Sequence, residues 1–317
     1  MIKNNIICLT PVFNDWESLS FLISEIEKEA LKNKDYCFSL IVINDGSTQL
    51  QKRRIDSKSI KIEIVNLKLN IGHQRAIAVG IQFIFSEYIK SFQEFETNGH
   101  VVVLDGDGED KPSDIIHMVT EAKDMIVFAK RVKRSEGTGF KTGYFLYKRI
   151  FRLLTGKNIN FGNFSAIPFS LLNQVAILPN LWNHYASSIA ESKIAQKAYP
   201  TERGYRYAGK SKMNVTSLII HGFSSISIYF DILCFRVLKF SFISILLCSI
   251  GILYVLFQKL FTDNAIPGWA SSLILIVLSI VIQLFSVTFI ILLMQLRSRK
   301  EISPPDDTLY LKFIDKK

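Results

Sequence analysis

Two stretches without a single charged side chain, Phe240–Gln258 and Ala265–Leu296, limit what this chain can fold into more than any other feature. A helix needs roughly 20 apolar residues to cross a bilayer. The first stretch is close to that length and the second exceeds it, with Pro267-Gly268 as a break and Trp269 as an interfacial anchor. Spans are expected at 240–258 and 268–296. Only Lys259–Asn264 separates them, so they form a hairpin whose outer ends face one side. Arg236 and Lys239 precede the hairpin and Arg297, Arg299 and Lys300 follow it, against Lys259 in the turn. The positive-inside bias then puts both ends in the cytoplasm. The expectation is an integral protein of a bacterial inner membrane, with the large N-terminal part and both termini cytoplasmic. Buried helices of a soluble core are the alternative, but the second stretch is too long and too uniformly apolar for it.

Residues 209–239 form a basic juxtamembrane segment, and 297–317 a cytoplasmic tail. Leu218, Ile219, Phe223, Ile226, Phe230 and Leu233 recur at helical spacing, while Ser217, His221, Ser224 and Asp231 fall on other faces. The pattern suits a helix in the membrane interface, or equally one packed on the soluble domain. Met1–Asn5 leads into Ile6–Thr10, an apolar run too short for a signal-peptide core. Cys8, Cys37, Cys234 and Cys248 are scattered without a C-x-x-C pair, which suggests neither disulfides nor zinc.

Residues 1–208 alternate apolar and polar segments as a soluble domain does. Ile6–Leu9, Phe38–Ile43, Lys61–Leu67 and Val101–Leu104 are strand-like, and Trp16–Lys32 and His73–Phe85 are helical. This alternation implies an α/β fold with a mostly parallel sheet covered on both faces. Ligands of such sheets bind beyond the carboxyl ends of the strands. Four polar clusters sit at such ends: Pro11-Val12-Phe13-Asn14-Asp15, Asn44-Asp45-Gly46-Ser47, Asn70-Ile71-Gly72 and Asp105-Gly106-Asp107.

Asp105 and Asp107 can present oxygens to one divalent cation that also holds a diphosphate, an all-oxygen set that Mg2+ and Mn2+ favour. A solvated acidic turn is the plain alternative, weakened by the strand ahead and by Glu109, Asp110 and Pro112 behind. Asp45-Gly46-Ser47 is either a turn or a carboxylate aimed at a base or ribose, and Asn14 and Asp15 either cap a helix or frame a nucleotide pocket. The formal net charge of +10 fits an anionic membrane surface or phosphate-rich substrates. Nucleic acid is not expected as a partner, because no recognisable nucleic-acid module accompanies that charge.

The order Pro-Val-Phe-Asn-Asp, Asp-Gly-Ser-Thr, Asn-Ile-Gly-His-Gln and Leu-Asp-Gly-Asp-Gly-Glu-Asp resembles the family 2 inverting glycosyltransferases. Within them the chain is most similar to the polyisoprenyl-phosphate glycosyltransferase and dolichyl-phosphate-mannose-synthase group. That narrower likeness rests on the Asp105, Asp107, Asp110 spacing, on Gly209-Lys210-Ser211-Lys212-Met213-Asn214, and on the hairpin. The resemblance implies a GT-A-type nucleotide-sugar-binding domain. Its nucleotide-binding set would be Pro11, Phe13, Asn14, Asp15, Asp45, Gly46, Ser47, Gly72 and Gln74. Asp105 and Asp107 would hold Mg2+ or Mn2+, with Asp110 and Asn163 beside the chemistry. Arg131, Arg134, Lys210 and Lys212 would face an acceptor phosphate, for which ordinary membrane-surface charge is the alternative for the lysines.

The chain departs from the pattern at Gly162-Asn163-Phe164-Ser165, where many members carry an acidic residue, and more mildly at Asn44. An amide cannot serve as a general base. A phosphate acceptor needs none, because its second pKa of about 6 leaves it largely ionised near pH 7. A sugar hydroxyl would need Asp110 or Glu109. The expectation is one sugar moved from a nucleotide-diphosphate sugar to a polyprenyl phosphate. Transfer to a hydroxyl of a lipid-linked or cell-surface glycan is the alternative, and a non-catalytic membrane scaffold is the alternative of another class. The spans also offer a route to a homo-oligomer.

Overall fold

The computed structural model describes residues 4–49, 56–90, 99–131, 149–157, 162–209, 222–261, 268–300 and 306–315. They fall into two compact units, one of residues 1–148, 158–228 and 304–317, the other of 149–157 and 229–303.

The first unit is built on a seven-stranded sheet in the order β3-β2-β1-β4-β6-β5-β7. Its strands are β1 (Asn4–Val12), β2 (Tyr36–Asn44), β3 (Lys61–Asn66), β4 (Gly99–Val103), β5 (Ile126–Arg131), β6 (Ser165–Pro168) and β7 (Gln196–Thr201). The β3-β2-β1-β4 run is parallel, β6 is antiparallel to both neighbours, and β5 pairs with β7 in parallel. The sheet is thus mostly parallel, with one reversed strand.

Side chains of a strand alternate between faces, and β1 shows what that does here. Ile7 and Leu9 join one core with Ile41, Ile43, Val101 and Val103, against Ala76, Ile77 and Ile81 of helix α2 (His73–Phe83). Ile6 and Cys8 join the other with Leu40, Val42 and Val102. Helices α1 (Trp16–Lys32) and α3 (Ile115–Glu121) cover that second face with Leu19, Leu22, Ile26, Ile115 and Met118. A sheet covered on both sides explains why the central strands are nearly continuous apolar runs. Helices α4 (Phe169–Ala176) and α5 (Tyr185–Glu191) complete the first face.

Two further segments belong to this unit. Residues 222–227 are helical and pack on it, with Ile226 and Ile228 buried and the Ser225 and Ser187 hydroxyls 2.7 Å apart. Residues 306–315 lie along β3 and α2, with Tyr310 buried.

The second unit holds two helices of 32 residues each, α6 (Phe230–Phe261) and α7 (Trp269–Lys300), which pack on each other. Both are long and apolar enough to cross a membrane. Their large side chains, Phe242, Leu253, Ile276 and Phe285 among them, face outward, as lipid-facing residues do. At about 1.5 Å per residue each helix exceeds a hydrocarbon core of about 30 Å. The first starts at Phe230, ahead of the expected 240, so Arg236 and Lys239 lie within it. Arg236 donates to the carbonyl of Leu153 inside the same unit.

Leu22 is fully buried between α1 and the sheet. Leu22→Ala is expected to cost about 2–5 kcal/mol, read as a lower unfolding midpoint of the detergent-solubilised chain.

Candidate active site

Parallel strands β1, β2 and β4 all end at one edge of the sheet, and there the polar clusters meet. Asp45 leaves β2 buried, its backbone N–H bonded to the Val12 carbonyl at 2.9 Å. Its carboxylate accepts the N–H of Ile71 at 2.8 Å and of Gly72 at 3.0 Å. Burial pushes its pKa up, against the pull of those two donors. The side chain thus fixes the turn that opens α2. Gly46 has φ +65°, and a methyl group there would stand 2.5 Å from the Asn70 nitrogen. Close approach of two backbones, as well as the left-handed conformation, requires glycine at this position.

The β1 loop is tied to the β2 loop. Asn14, at φ 53°, donates its N–H to the Ser47 hydroxyl and its side-chain amide to Thr48, and accepts from Gln49 N–H at 2.8 Å. Ser47 N–H in turn bonds the Asn44 side chain at 3.0 Å, so Asn44 serves as a loop brace. Pro11 ends buried in β1, while Phe13 is 38% exposed at the rim.

Asp105 and Asp107 follow β4. Asp105 N–H is held by the Asp110 carboxylate at 3.0 Å, which leaves Asp110 buried beneath the loop. Asp107 accepts from Glu109 N–H at 3.1 Å and from Arg206 at 2.9 Å. Burial raises the Asp107 pKa, and the neighbouring Asp105 charge raises it further, with Arg206 in opposition. Arg206 also pairs with Asp15, so one guanidinium bridges the β1 and β4 loops. The chain after β7 is pinned there along its length: Gly204 N–H to the Glu109 carbonyl, Tyr207 N–H to the Asp107 carbonyl, and Arg203 to the Glu109 carboxylate at 2.5 Å.

On the other flank, His73 Nε2 lies 3.0 Å from Asp105 Oδ1 and 3.1 Å from the Asn163 amide nitrogen. One ring nitrogen can donate to Asp105 or accept from Asn163, but cannot do both at once. Burial disfavours the imidazolium, yet Asp105, Asp45 and Asp107 outweigh it and raise the His73 pKa. Gln74 donates to Asn163 at 3.1 Å and accepts from Tyr185 N–H at 2.8 Å.

Two carboxylates on one tight loop suit a small divalent cation that completes its shell with phosphate and water oxygens. Among the described residues no group of three or more His, Cys, Asp or Glu side chains could hold a metal ion.

Residues 8–178 match Glycosyl transferase family 2. The chain belongs to that family. It is a glycosyltransferase with a GT-A-like α/β fold. It is 28% identical, over 84% of its length and 81% of the relative's, to the uncharacterized glycosyltransferase YkcC of Bacillus subtilis (strain 168). A shorter match, 26% identical over 36% of this chain and 31% of the relative, is to a dodecaprenyl-phosphate galacturonate synthase of Rhizobium johnstonii. Among solved structures, mannosyl-3-phosphoglycerate synthase from Rubrobacter xylanophilus superposes with a TM-score of 0.46 at 14% identity. That likeness covers 71% of this chain and 72% of the synthase.

The structure brings Pro11, Phe13, Asn14, Asp15, Asp45, Gly46, Ser47, Gly72, Gln74, Asp105, Asp107, Asp110 and Asn163 to one edge of this family 2 domain. Arg131 ends β5, paired with Thr201. Arg134, Lys210 and Lys212 lie outside the described residues. The sequence places His73 in a motif without a catalytic role and does not single out Arg206. His73 stands beside Gly72 in a motif already singled out, whereas nothing local marks Arg206 apart from the glycine-lysine stretch that follows it.

Gly46→Ala is expected to cost about 1–2 kcal/mol from the left-handed backbone alone, and to push the β2 loop off Leu69 and Asn70. Thermal unfolding and nucleoside-diphosphate titration would register both effects.

Proposed function

We propose that this family 2 enzyme moves one sugar from a nucleoside-diphosphate sugar to a polyprenyl phosphate, inverting the anomeric carbon, at the cytoplasmic face of a membrane. The observation that carries the reading is a site rich in carboxylates in which the position where many family 2 members carry an acidic residue is Asn163, set against Gln74 and His73. Asn163 is bonded to Gln74 and lies beside His73, and an amide takes no proton from an acceptor. Asp110, the alternative base, is buried and bonded to the Asp105 N–H. An acceptor that already carries negative charge needs no base. The match to a dodecaprenyl-phosphate galacturonate synthase and the two apolar helices support the same reading.

The donor nucleotide would lie across the loops after β1 and β2, with Phe13 available to its base. Asp105 and Asp107 would hold Mg2+ or Mn2+, whose chemistry when bound is to offset the charge of the departing diphosphate. Arg206 adds a fixed positive charge at the same place, and in its absence Asp107 and Asp15 repel each other across the loops. His73 stands between Asp105 and Asn163, and its one ring nitrogen orients one of them at a time. The acceptor phosphate would attack from the opposite face of the sugar, with Arg131, Arg134, Lys210 and Lys212 as candidate partners. Segments on both sides of the helix pair, residues 222–228 and 306–315, belong to the catalytic unit. That favours a hairpin that leaves and returns on one side.

The test uses the full chain in nanodiscs with Mn2+, radiolabelled nucleotide sugars and undecaprenyl phosphate. Label is expected to enter the lipid phase, and Asp107→Asn to reduce that transfer by at least about a hundredfold. Donor hydrolysis without lipid labelling would move the acceptor to a glycan hydroxyl, and a chain that binds no donor would be a scaffold.

A further inference from the structure

The segment beyond the second apolar helix is woven into the donor side of the catalytic unit. Leu67, just past β3, forms an antiparallel bridge with Ile314. Lys68 N–H bonds the Phe313 carbonyl at 2.9 Å and Asp315 N–H the Asn66 carbonyl at 2.9 Å. β3 is an edge strand of the sheet, and this pairing covers the end of that edge, a place that otherwise offers unpaired backbone groups. Phe313 packs on Trp182 with ring centroids 5.3 Å apart. Tyr310 is 2% exposed, and its hydroxyl bonds Glu87 at 2.7 Å.

The same segment grips α2. Gln82, itself buried, donates to the Asp306 carbonyl at 2.7 Å and accepts from Tyr310 N–H at 3.2 Å. An exposed ion pair, Lys90 to Asp307 at 2.8 Å, lies beyond it. What these contacts hold is specific. Leu67–Gly72 is the loop whose Ile71 and Gly72 N–H groups take both oxygens of Asp45. α2 is the helix whose first residues, His73 and Gln74, reach Asp105 and Asn163. The tail therefore fixes the two elements that shape one wall of the candidate site, through backbone bonds and a buried aromatic ring rather than through solvated charge.

We infer that residues 306–315 are a positioning element for the donor: docked on β3 and α2, they hold the Leu67–Gly72 loop and the start of α2 in the geometry that binds a nucleoside diphosphate. The inference rests on the reading of this sheet edge as the donor site. It gives the chain after the membrane helices a part in catalysis, so that loss of this short segment weakens donor binding while the Asp105–Asp107 loop is left intact.

The experiment compares the full-length chain with Tyr310→Ala and Tyr310→Phe in nanodiscs. It reads UDP and GDP affinity with Mn2+ by calorimetry, and amide exchange at Ile71 and Gly72 without nucleotide. Tyr310→Ala is expected to weaken nucleotide binding about tenfold and to speed exchange at both amides. Tyr310→Phe, which keeps the ring, is expected to stay near wild type. If Tyr310→Ala does not fold, Phe313→Ala, which keeps the backbone bond to Lys68 and trims the packing on Trp182, takes its place with the same expectation. A folded alanine variant with wild-type affinity and wild-type exchange overturns the inference. Faster exchange with unchanged affinity for the nucleotide also overturns it, since the tail would then stabilise the loop without serving the donor. If the wild-type chain binds neither UDP nor GDP, the donor reading itself falls, whatever the exchange shows.

Discussion

A carboxylate taken out of water must find donors or give up its charge, and Asp45 meets that demand with two backbone N–H groups from a different loop. Much else at the sheet edge follows from this bond pair. Because Ile71 and Gly72 must reach Asp45, the chain after β3 folds back over Gly46, where only a glycine leaves room. Because Gly72 is held, α2 starts at a fixed point and projects His73 and Gln74 toward the β4 loop. The Asn44–Asn66 bond, 2.8 Å long, ties the same two strands just beneath. A single buried acid thus sets the spacing of two of the four loops. Its raised pKa is the cost of that burial.

Charge is arranged with the same economy on the opposite side. Asp105 and Asp107 face each other's repulsion in a half-buried place. The structure answers with Arg206 on Asp107 and His73 on Asp105. Arg206 is not simply a surface ion pair, the kind worth little. It is mostly buried, bridges two carboxylates, and bonds the Ala208 carbonyl through Nε at 2.9 Å. With a divalent cation and a diphosphate added, the electrostatic needs of Asp107 would change, and the loop after β7 is joined directly to that change. This loop leads into Gly209, with Lys210 and Lys212 next in the sequence.

The sheet edge was readable in the sequence because each cluster follows an apolar run: Leu9 before Thr10-Pro11, Ile43 before Asn44-Asp45, Leu104 before Asp105. In a parallel sheet buried on both faces, such a switch from apolar to polar marks a strand end. What each side chain does there was less readable. Asp45 reads as a turn residue or a ligand contact in a one-dimensional motif, and its bonds to the Ile71 and Gly72 N–H groups are not legible there, because no side-chain pattern encodes a backbone N–H. Arg206 reaches Asp15 and Asp107 only because β7 pairs with β5 and returns the chain across the β4 loop. The reversed strand β6 hides in the same way, since Ser165–Pro168 is too short to show a period. The tail reads as solvated from Asp306, Asp307 and Lys312, while Tyr310 and Phe313, its apolar half, give no hint of β3. α6 begins at Phe230 because Asp231, Arg236 and Lys239 do not break a helix, although they do end an apolar run.

The choice of acceptor depends on which groups near Asn163 can receive a proton. His73 lies 3.0 Å from Asp105 and 3.1 Å from the Asn163 amide, so its Nε2 is already taken up by the site. Asp110 is fixed to the loop backbone, and moving it would release the Asp105 N–H. Glu109 carries the Arg203 guanidinium. Among the described residues, His73, Asp110 and Glu109 are thus engaged in holding the site together, and Asn163 beside His73 is an amide. A neutral hydroxyl would have to pull one of these groups from its structural bond in order to lose its proton. A phosphate monoester enters already ionised and asks only for positive charge, of which the chain carries a formal excess of +10. The lipid phosphate proposed above meets that condition, because its nucleophile is made before it arrives.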